Sequence, residues 1–201
     1  MKNLDPVKNI IFDLGGVILN IDYHKTIEAF EKLGVQNFNE IFSQFEQSNL
    51  TDRFEKGQLT EEEFHQNLVE ISGIDFSFLQ YREAWNTMLL DLPQSRIQLL
   101  KELSGKYRLF LFSNTNETHY KSFISKAEDD FDEIFEKTYY SHQFGNRKPE
   151  PTSFQAILDE KHLIAEETLF VDDSIQHIES AQKLGIRTLH LLETDILHEF
   201  A

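Results

Sequence analysis

The sequence predicts an α/β fold in which a parallel sheet carries helices on both faces and a helical domain is inserted after the first strand. Two observations predict the sheet. Short apolar runs repeatedly end in a polar motif, and from residue 93 to 192 such runs alternate with helical periodicity. Alternating strands and helices are what a parallel sheet covered by helices requires, and its ligand site then lies outside the carboxyl ends of the strands. A third observation predicts the insertion: residues 20–91 lack this alternation and read as helices alone.

The elements follow in order. Asn9-Ile10-Ile11-Phe12-Asp13 is a short apolar run ending in a carboxylate, as expected of a strand buried on both faces. Gly15 and Gly16 after it permit a tight turn. In the insertion, Phe38, Ile41, Phe42 and Phe45 fall at i, i+3, i+4 and i+7 of a helix. Thr60 and Glu63 match a capping box before Phe64, Leu68 and Ile71. Pro93 opens a helix through Ile97, Leu100 and Leu103, which Gly105 closes. The next strands are Arg108–Phe112, ending at Ser113-Asn114, and Thr168–Val171, ending at Asp172-Asp173. Ser174 precedes a helix through Ile175, Ile178, Ala181 and Leu184, Gly185 stops it, and Ile186–Leu191 is a further strand. The expected domains are therefore 1–19 with 92–201 as the sheet core and 20–91 as the helical insertion. Hinges are expected near Gly16 to Asp22 and Asp91 to Pro93.

Composition limits the functions. The chain of 201 residues suits one ordinary domain plus a small insertion, and an apolar content of 40% with 18 Phe provides a sizeable core. The absence of Cys excludes disulfides, thiolate zinc sites and a catalytic cysteine. A net charge of -16 repels nucleic acid and anionic membranes. No segment approaches the ~20 apolar residues of a membrane helix. The run Ile10 to Phe12 is too short for a signal-peptide core, so the expected location is cytoplasmic. Nothing in the sequence decides between monomer and dimer.

The strand ends carry the chemistry. An aspartate before glycines, such as Asp13, is also what a plain turn looks like. The adjacent carboxylates Asp172 and Asp173 are more telling, because they repel one another unless positive charge lies beside them. With Asp13 converging on the same sheet edge, a hard divalent cation is the natural occupant, and the lack of Cys favours Mg²⁺ over zinc. A turn with a helix cap is the plainer account of that pair. Ser113 and Asn114 offer a hydroxyl and backbone N–H groups where a helix starts, a ready anion site. Lys148, between Arg147 and Pro149, supplies a compact cation for phosphate and for neighbouring carboxylates.

Phe12-Asp13-Leu14-Gly15-Gly16-Val17, Phe112-Ser113-Asn114-Thr115-Asn116, Arg147-Lys148-Pro149-Glu150-Pro151 and Val171-Asp172-Asp173-Ser174 occur in this order along nearly the whole chain. In this the sequence resembles the haloacid dehalogenase-like (HAD) hydrolase superfamily, and within it the bacterial alpha-D-glucose-1-phosphate phosphatases. The resemblance implies a Rossmann-like core with the helical insertion as a cap domain, and phosphoryl transfer in two steps. Asp13 would attack phosphorus and form an aspartyl-phosphate, which water hydrolyses. Mg²⁺ would be held by the Asp13 carboxylate, the Gly15 carbonyl and Asp173, with Asp172 in the outer shell or acting through water. Ser113, the Asn114 backbone and Lys148 would bind the phosphoryl oxygens. The cap would close over the site and choose the leaving group.

The sequence departs from that pattern at Gly15, where many phosphatases of the superfamily carry a second Asp as general acid, a role worth about 10²–10⁴ in rate. An anomeric hydroxyl, more acidic than an ordinary alcohol, would leave with less protonation. Asp22 and His24 are alternative acids but read more simply as hinge surface. Phe54 and Glu55 before Gly57 are candidate substrate contacts in a cap loop, whereas Tyr81 and Trp85 suit core packing. The expected function is Mg²⁺-dependent hydrolysis of a small phosphorylated metabolite, with sugar phosphates first among candidates. A 2-haloacid dehalogenase using Asp13 is the alternative enzyme, but it would want a bulky residue after Leu14 and no Asp172-Asp173 pair. A catalytically silent binding or regulatory protein is the alternative of another class.

Overall fold

The computed structural model describes residues 4–38, 40, 49–127, 131–192 and 195–200. Strand β1, Asn9–Phe12, is followed by four described helices: α1 (Tyr23–Lys32), α2 (Leu50–Glu55), α3 (Glu61–Ser72) and α4 (Phe78–Asn86). Then come α5 (Gln94–Ser104), β2 (Arg108–Ser113), α6 (Glu117–Ile124), β3 (Lys137–Tyr140) and the short α7 (Ser141–Phe144). The chain continues through α8 (Pro151–Lys161), β4 (Thr168–Asp172), α9 (Ile175–Gln182), β5 (Arg187–His190) and α10 (Ile196–Phe200). Among the described residues no helix is long and apolar enough to cross a membrane.

The five strands are all parallel, in the order β3-β2-β1-β4-β5. Successive side chains of a strand point to opposite faces, so each buried strand feeds two cores. Ile10, Phe12, Leu109, Leu111 and Val171 join one apolar cluster with Ile97, Leu100 and Leu103 of α5 and Phe123 of α6. Ile11, Phe110, Phe112 and Phe170 join the other with Phe154 and Ile157 of α8 and Ile178 and Ala181 of α9. Helices thus cover both faces, which is why these strands read as unbroken apolar runs. β1 is central, and Phe12 pairs in register with Leu111 on one side and Val171 on the other. That register brings Asp13, Ser113 and Asp172 to one edge of the sheet.

β3 is the strand that apolar patterning does not reveal. Its sequence, Lys-Thr-Tyr-Tyr, is short and polar at its start because it lies at the sheet edge and pairs only with β2. Two helix boundaries also differ from expectation. Pro93 is the cap residue of α5 rather than its first helical residue, and Gly105 closes that helix at φ -71 without the left-handed turn. The Thr60–Glu63 capping box is present at the start of α3.

The helices between residues 23 and 86 share a third apolar cluster, including Phe30, Phe38, Phe54, Phe64, Tyr81 and Trp85. Phe30 stacks on Phe38 with centroids 4.3 Å apart, and Phe54 on Phe64 at 4.2 Å. Ile41, Phe42 and Phe45 lie outside the described residues. Phe54 and Glu55 end a helix, α2, instead of forming a loop, and Phe54 is packed in this core rather than offered to a substrate. The two connections to the sheet run side by side: Asn20 N–H donates to the Asp91 carbonyl (3.0 Å), Leu90 N–H to that of Asn20 (3.0 Å) and Asp22 N–H to that of Met88 (2.9 Å).

Candidate active site

Asp13 leaves β1 with its N–H still bonded to the Val171 carbonyl at 2.9 Å, so the strand direction carries its side chain past the sheet edge. The chain then turns within six residues, as the Leu14 carbonyl accepts from both Ile18 and Leu19 N–H. Gly16 makes this turn possible. Its φ is +76, and a Cβ there would overlap the Asp173 carboxylate. Gly15 is packed differently: a Cβ at that position would meet Ile21 Cδ1 at 3.3 Å. A side chain here would thus be tight against Ile21, which would have to give by a few tenths of an ångström.

Lys148 is the centre of the charge arrangement. A lysine beside proline ordinarily decorates a surface, yet here it is fully buried. Its Nζ lies 2.8 Å from Asp13 Oδ1 and 2.8 Å from Asp172 Oδ2, and the rings of Phe112 and Phe170 flank it at 5.3 and 5.5 Å. Asn114 fixes the loop that carries it. The Asn114 side chain donates to the Lys148 carbonyl (2.8 Å) and accepts from the Lys148 N–H (2.9 Å). Ser113 is buried at the end of β2, in register with Tyr140 of β3. Contrary to expectation, no helix starts at Asn114: α6 starts at Glu117, and Asn116 caps it by accepting from His119 N–H.

The three carboxylates come together. Asp13, Asp172 and Asp173 each place a ligand oxygen within 4.8 Å of the others. Burial holds the Asp13 carboxyl above its usual range, and Asp172 and Asp173 add to that while Lys148 opposes it. Burial would also raise Asp172, but Lys148 and His177 outweigh it and hold this group well below the ordinary carboxylate range. Asp173 is exposed and is raised by desolvation and by its neighbour Asp172. An oxygen-only donor set with excess negative charge suits a hard divalent cation, and the missing Cβ at Gly16 leaves the Asp173 carboxylate its place beside the turn.

Asp172 is more fully engaged than sequence suggests. Besides Lys148 it accepts from Ser174 N–H at 2.8 Å, and His177 Nδ1 lies 2.9 Å from its Oδ1. Asp172 thus anchors Lys148 and the start of α9. His177 gave no sequence signal, being a lone His on a helix. Ser141 was equally silent: its hydroxyl accepts from Thr115 N–H and donates to the Thr115 carbonyl, each at 2.8 Å, and ties the loop after β2 to the end of β3. Asp22 caps α1 by accepting from His24 N–H, and His24 is exposed, in keeping with hinge surface.

Above the sheet edge the helical insertion encloses a cavity of about 250 Å³. Asn114, Asn116 and His119 line it from the core, and Tyr23, Thr51, Glu55, Ile27, Phe38 and Trp85 from the insertion. Arg147, beside Lys148, joins the two sides through Asp52 (3.2 Å) and Glu55 (2.8 Å). Glu55 is raised by burial, against the pull of Arg147. His119 is locked between the Asn116 side chain (3.1 Å) and the Trp85 carbonyl (3.0 Å), and burial lowers its pKa to about 4.

A parallel α/β sheet whose carboxyl edge gathers three aspartates, a buried lysine and an anion-ready loop beneath a helical cover defines a class of cation-assisted hydrolytic proteins. Residues 10–191 match the family model described as haloacid dehalogenase-like hydrolase, and the chain belongs to that family. It is 31% identical over 187 residues to a D-ribitol-5-phosphate phosphatase of Bacteroides thetaiotaomicron, covering 90% of each chain. A HAD family enzyme from the same organism, solved in complex with magnesium and inorganic phosphate, superposes with a TM-score of 0.87 at 37% identity, covering 97% of this chain and 100% of that one. A sesquiterpene phosphatase of Aspergillus oryzae is 23% identical, covering 93% of this chain and 91% of the relative.

Proposed function

We propose that the protein is a Mg²⁺-dependent phosphatase that hydrolyses a small phosphorylated metabolite of the sugar-phosphate kind through an aspartyl-phosphate on Asp13. The observation that carries this reading is the position of Asp13, at the carboxyl edge of the central strand, 2.8 Å from a fully buried lysine and beside two further carboxylates. The magnesium and phosphate bound by one relative and the polyol phosphate named for another support it.

In the first step an Asp13 oxygen forms a bond to phosphorus as the bond from phosphorus to the substrate alcohol breaks. The departing oxygen takes up a proton from solvent water, which the attacking water of the second step returns to solvent. Water then attacks the phosphorus of the acyl phosphate, restores the Asp13 carboxylate and releases phosphate. Lys148 neutralises charge beside Asp13, while the Ser113 hydroxyl and the Asn114 N–H hold phosphoryl oxygens. Asp13, the Gly15 carbonyl and Asp173 would hold Mg²⁺, with Asp172 supporting it through Lys148 and His177. The cation supplies charge neutralisation on the phosphoryl group. Residues 20–91 act as the cap, with the paired segments 20–22 and 88–91 as its stem.

The Asp172-Asp173 pair is what a haloacid dehalogenase would leave unused, and the residue after Leu14 is Gly15 rather than a bulky one, so the phosphatase reading is favoured. The test is phosphate release from sugar and polyol phosphates with Mg²⁺ or EDTA, beside Asp13→Asn. Release that needs both the metal and Asp13 is the expected result. No release from any ester, with wild type equal to the variant, would overturn it and turn attention to halide release and then to a silent binding role.

A further inference from the structure

The loop after β2 carries Ser113 and Asn114, and it leaves the sheet before α6 begins. β2 ends at Ser113, in register with Tyr140, the last residue of β3. Beyond that pair the two chains part: residues 114–116 run on, whereas the chain after Tyr140 turns at once into α7. Were β3 to continue in the same register, residue 142 would stand opposite Thr115, and its neighbouring peptide groups would take up the Thr115 N–H and carbonyl. One side chain does both instead. The Ser141 hydroxyl accepts from Thr115 N–H and donates to the Thr115 carbonyl, each at 2.8 Å. A hydroxyl suits this place because it offers a donor and two acceptor sites on one small atom. Ser141 is wholly buried and Thr115 is buried too, so peptide groups deprived of this hydroxyl would have to shift to find other partners.

We propose that Ser141 is a positioning residue for the phosphoryl-binding loop: its hydroxyl stands in for a missing strand neighbour of Thr115 and so keeps Ser113 and Asn114 where they receive phosphoryl oxygens. The proposal rests on the phosphatase reading above and goes on to say what fixes its anion site. Two other side chains fasten the same loop on either side of Thr115. Asn114 bonds to the backbone of Lys148 in both directions, and Asn116 accepts from His119 N–H. Ser141 secures the residue between them. The carboxylates stand elsewhere: Asp13 follows β1 and Asp173 follows β4, and both strands lie on the side of β2 away from β3. Loss of the Ser141 hydroxyl should therefore loosen the hold on phosphate and leave the hold on the cation as it is.

The test compares wild type with Ser141→Ala, which removes both bonds, and Ser141→Cys, which keeps the size of the side chain but replaces the hydroxyl by a weak donor and acceptor. Three quantities are read with p-nitrophenyl phosphate: kcat/KM, the inhibition constant of inorganic phosphate, and the Mg²⁺ concentration that gives half-maximal turnover at saturating ester. In both variants the phosphate inhibition constant is expected to rise about 5–20-fold and kcat/KM to fall about 10–100-fold, while the Mg²⁺ midpoint stays within about twofold of wild type. Circular dichroism shows which variants are folded, and either one alone decides the matter. Phosphate inhibition within about twofold of wild type in a folded variant, whatever its melting point, would mean that Ser141 only supports the fold and would overturn the proposal. Phosphate and Mg²⁺ constants that shift by equal factors, or loss of the folded state in both variants, would mean general disruption and would overturn it as well. Failure of the phosphatase reading is distinct: wild type itself would then release no p-nitrophenol with Mg²⁺.

Discussion

Replacing Lys148 by Met tests whether the site is organised around one buried cation. The native cluster sets one positive charge among three carboxylates, and both ion pairs of Lys148 are 2.8 Å long with its side chain fully shielded from solvent. Met keeps most of the volume and the contact with Phe112 and Phe170 but removes the charge. Removing one partner of a buried pair typically costs about 3–5 kcal/mol, because the remaining charge is stranded. For a chain of this size each kcal/mol shifts the midpoint by roughly 2–4 °C, so in EDTA the variant should melt roughly 6–20 °C below wild type. Added Mg²⁺ binds the folded state alone and faces one positive charge fewer, so it should raise the melting point of the variant more than that of wild type. The assay is thermal unfolding of both proteins in EDTA and in a Mg²⁺ series. A loss under about 2 °C in EDTA, or an equal response to Mg²⁺, would refute the argument that Lys148 balances these carboxylates.

Three further outcomes follow from other parts of the site. Gly16→Ala places a Cβ on the Asp173 carboxylate at φ +76, a conformation costing about 1–2 kcal/mol for an L side chain, so both the melting point and the apparent Mg²⁺ affinity of turnover should fall; an unchanged Mg²⁺ requirement would argue against Asp173 as a ligand. His177→Ala withdraws a donor 2.9 Å from Asp172 and should lower kcat/KM about tenfold with little change in fold by circular dichroism, whereas full activity would remove His177 from the site. His119, with a pKa lowered by burial to about 4 against an unfolded value near 6.5, binds fewer protons when folded. Its stabilising contribution is complete above about pH 6.5 and is lost as pH falls towards 4, by about 2 kcal/mol at pH 5. An NMR titration placing the His119 midpoint above 6 would refute this.

The carboxyl edge of the sheet was legible in the sequence because strands buried on both faces are written as apolar runs, and Asp13, Ser113 and Asp172 stand where those runs stop. What the sequence could not show was how deeply the charges are buried. Lys148 looks like a surface lysine, yet Asn114, 34 residues earlier, clamps its backbone and Nζ enters the core. β3 was missed because an edge strand needs no apolar face on its outer side, so Lys137 and Thr138 carry no pattern. Phe54 shows the reverse error. Its place beside Glu55 and Gly57 suggested a substrate contact, but on a helix adjacent residues point in different directions, so Phe54 stacks on Phe64 while Glu55 lines the cavity. Thr51 belongs with Glu55 by helical spacing, a relation visible only once residues 50–55 are known to be helical.

The missing acid at Gly15 is built into the packing and is more than a substitution at one position. Ile21 lies beside Gly15, and Ile21 also bridges to Leu89 between the two connections that lead to the sheet. A side chain at position 15 would put its Cβ 3.3 Å from Ile21 Cδ1, so Ile21 would have to shift by a few tenths of an ångström to admit it. Arg147 links the same two parts electrostatically, since it joins Asp52 and Glu55 of α2 to the loop whose next residue, Lys148, meets Asp13. Adjacent residues of one loop thus pair with the helix α2 and with Asp13. Under the proposed function, leaving-group choice and the chemistry at phosphorus would draw on neighbouring residues, Arg147 and Lys148, with no second aspartate two residues after Asp13.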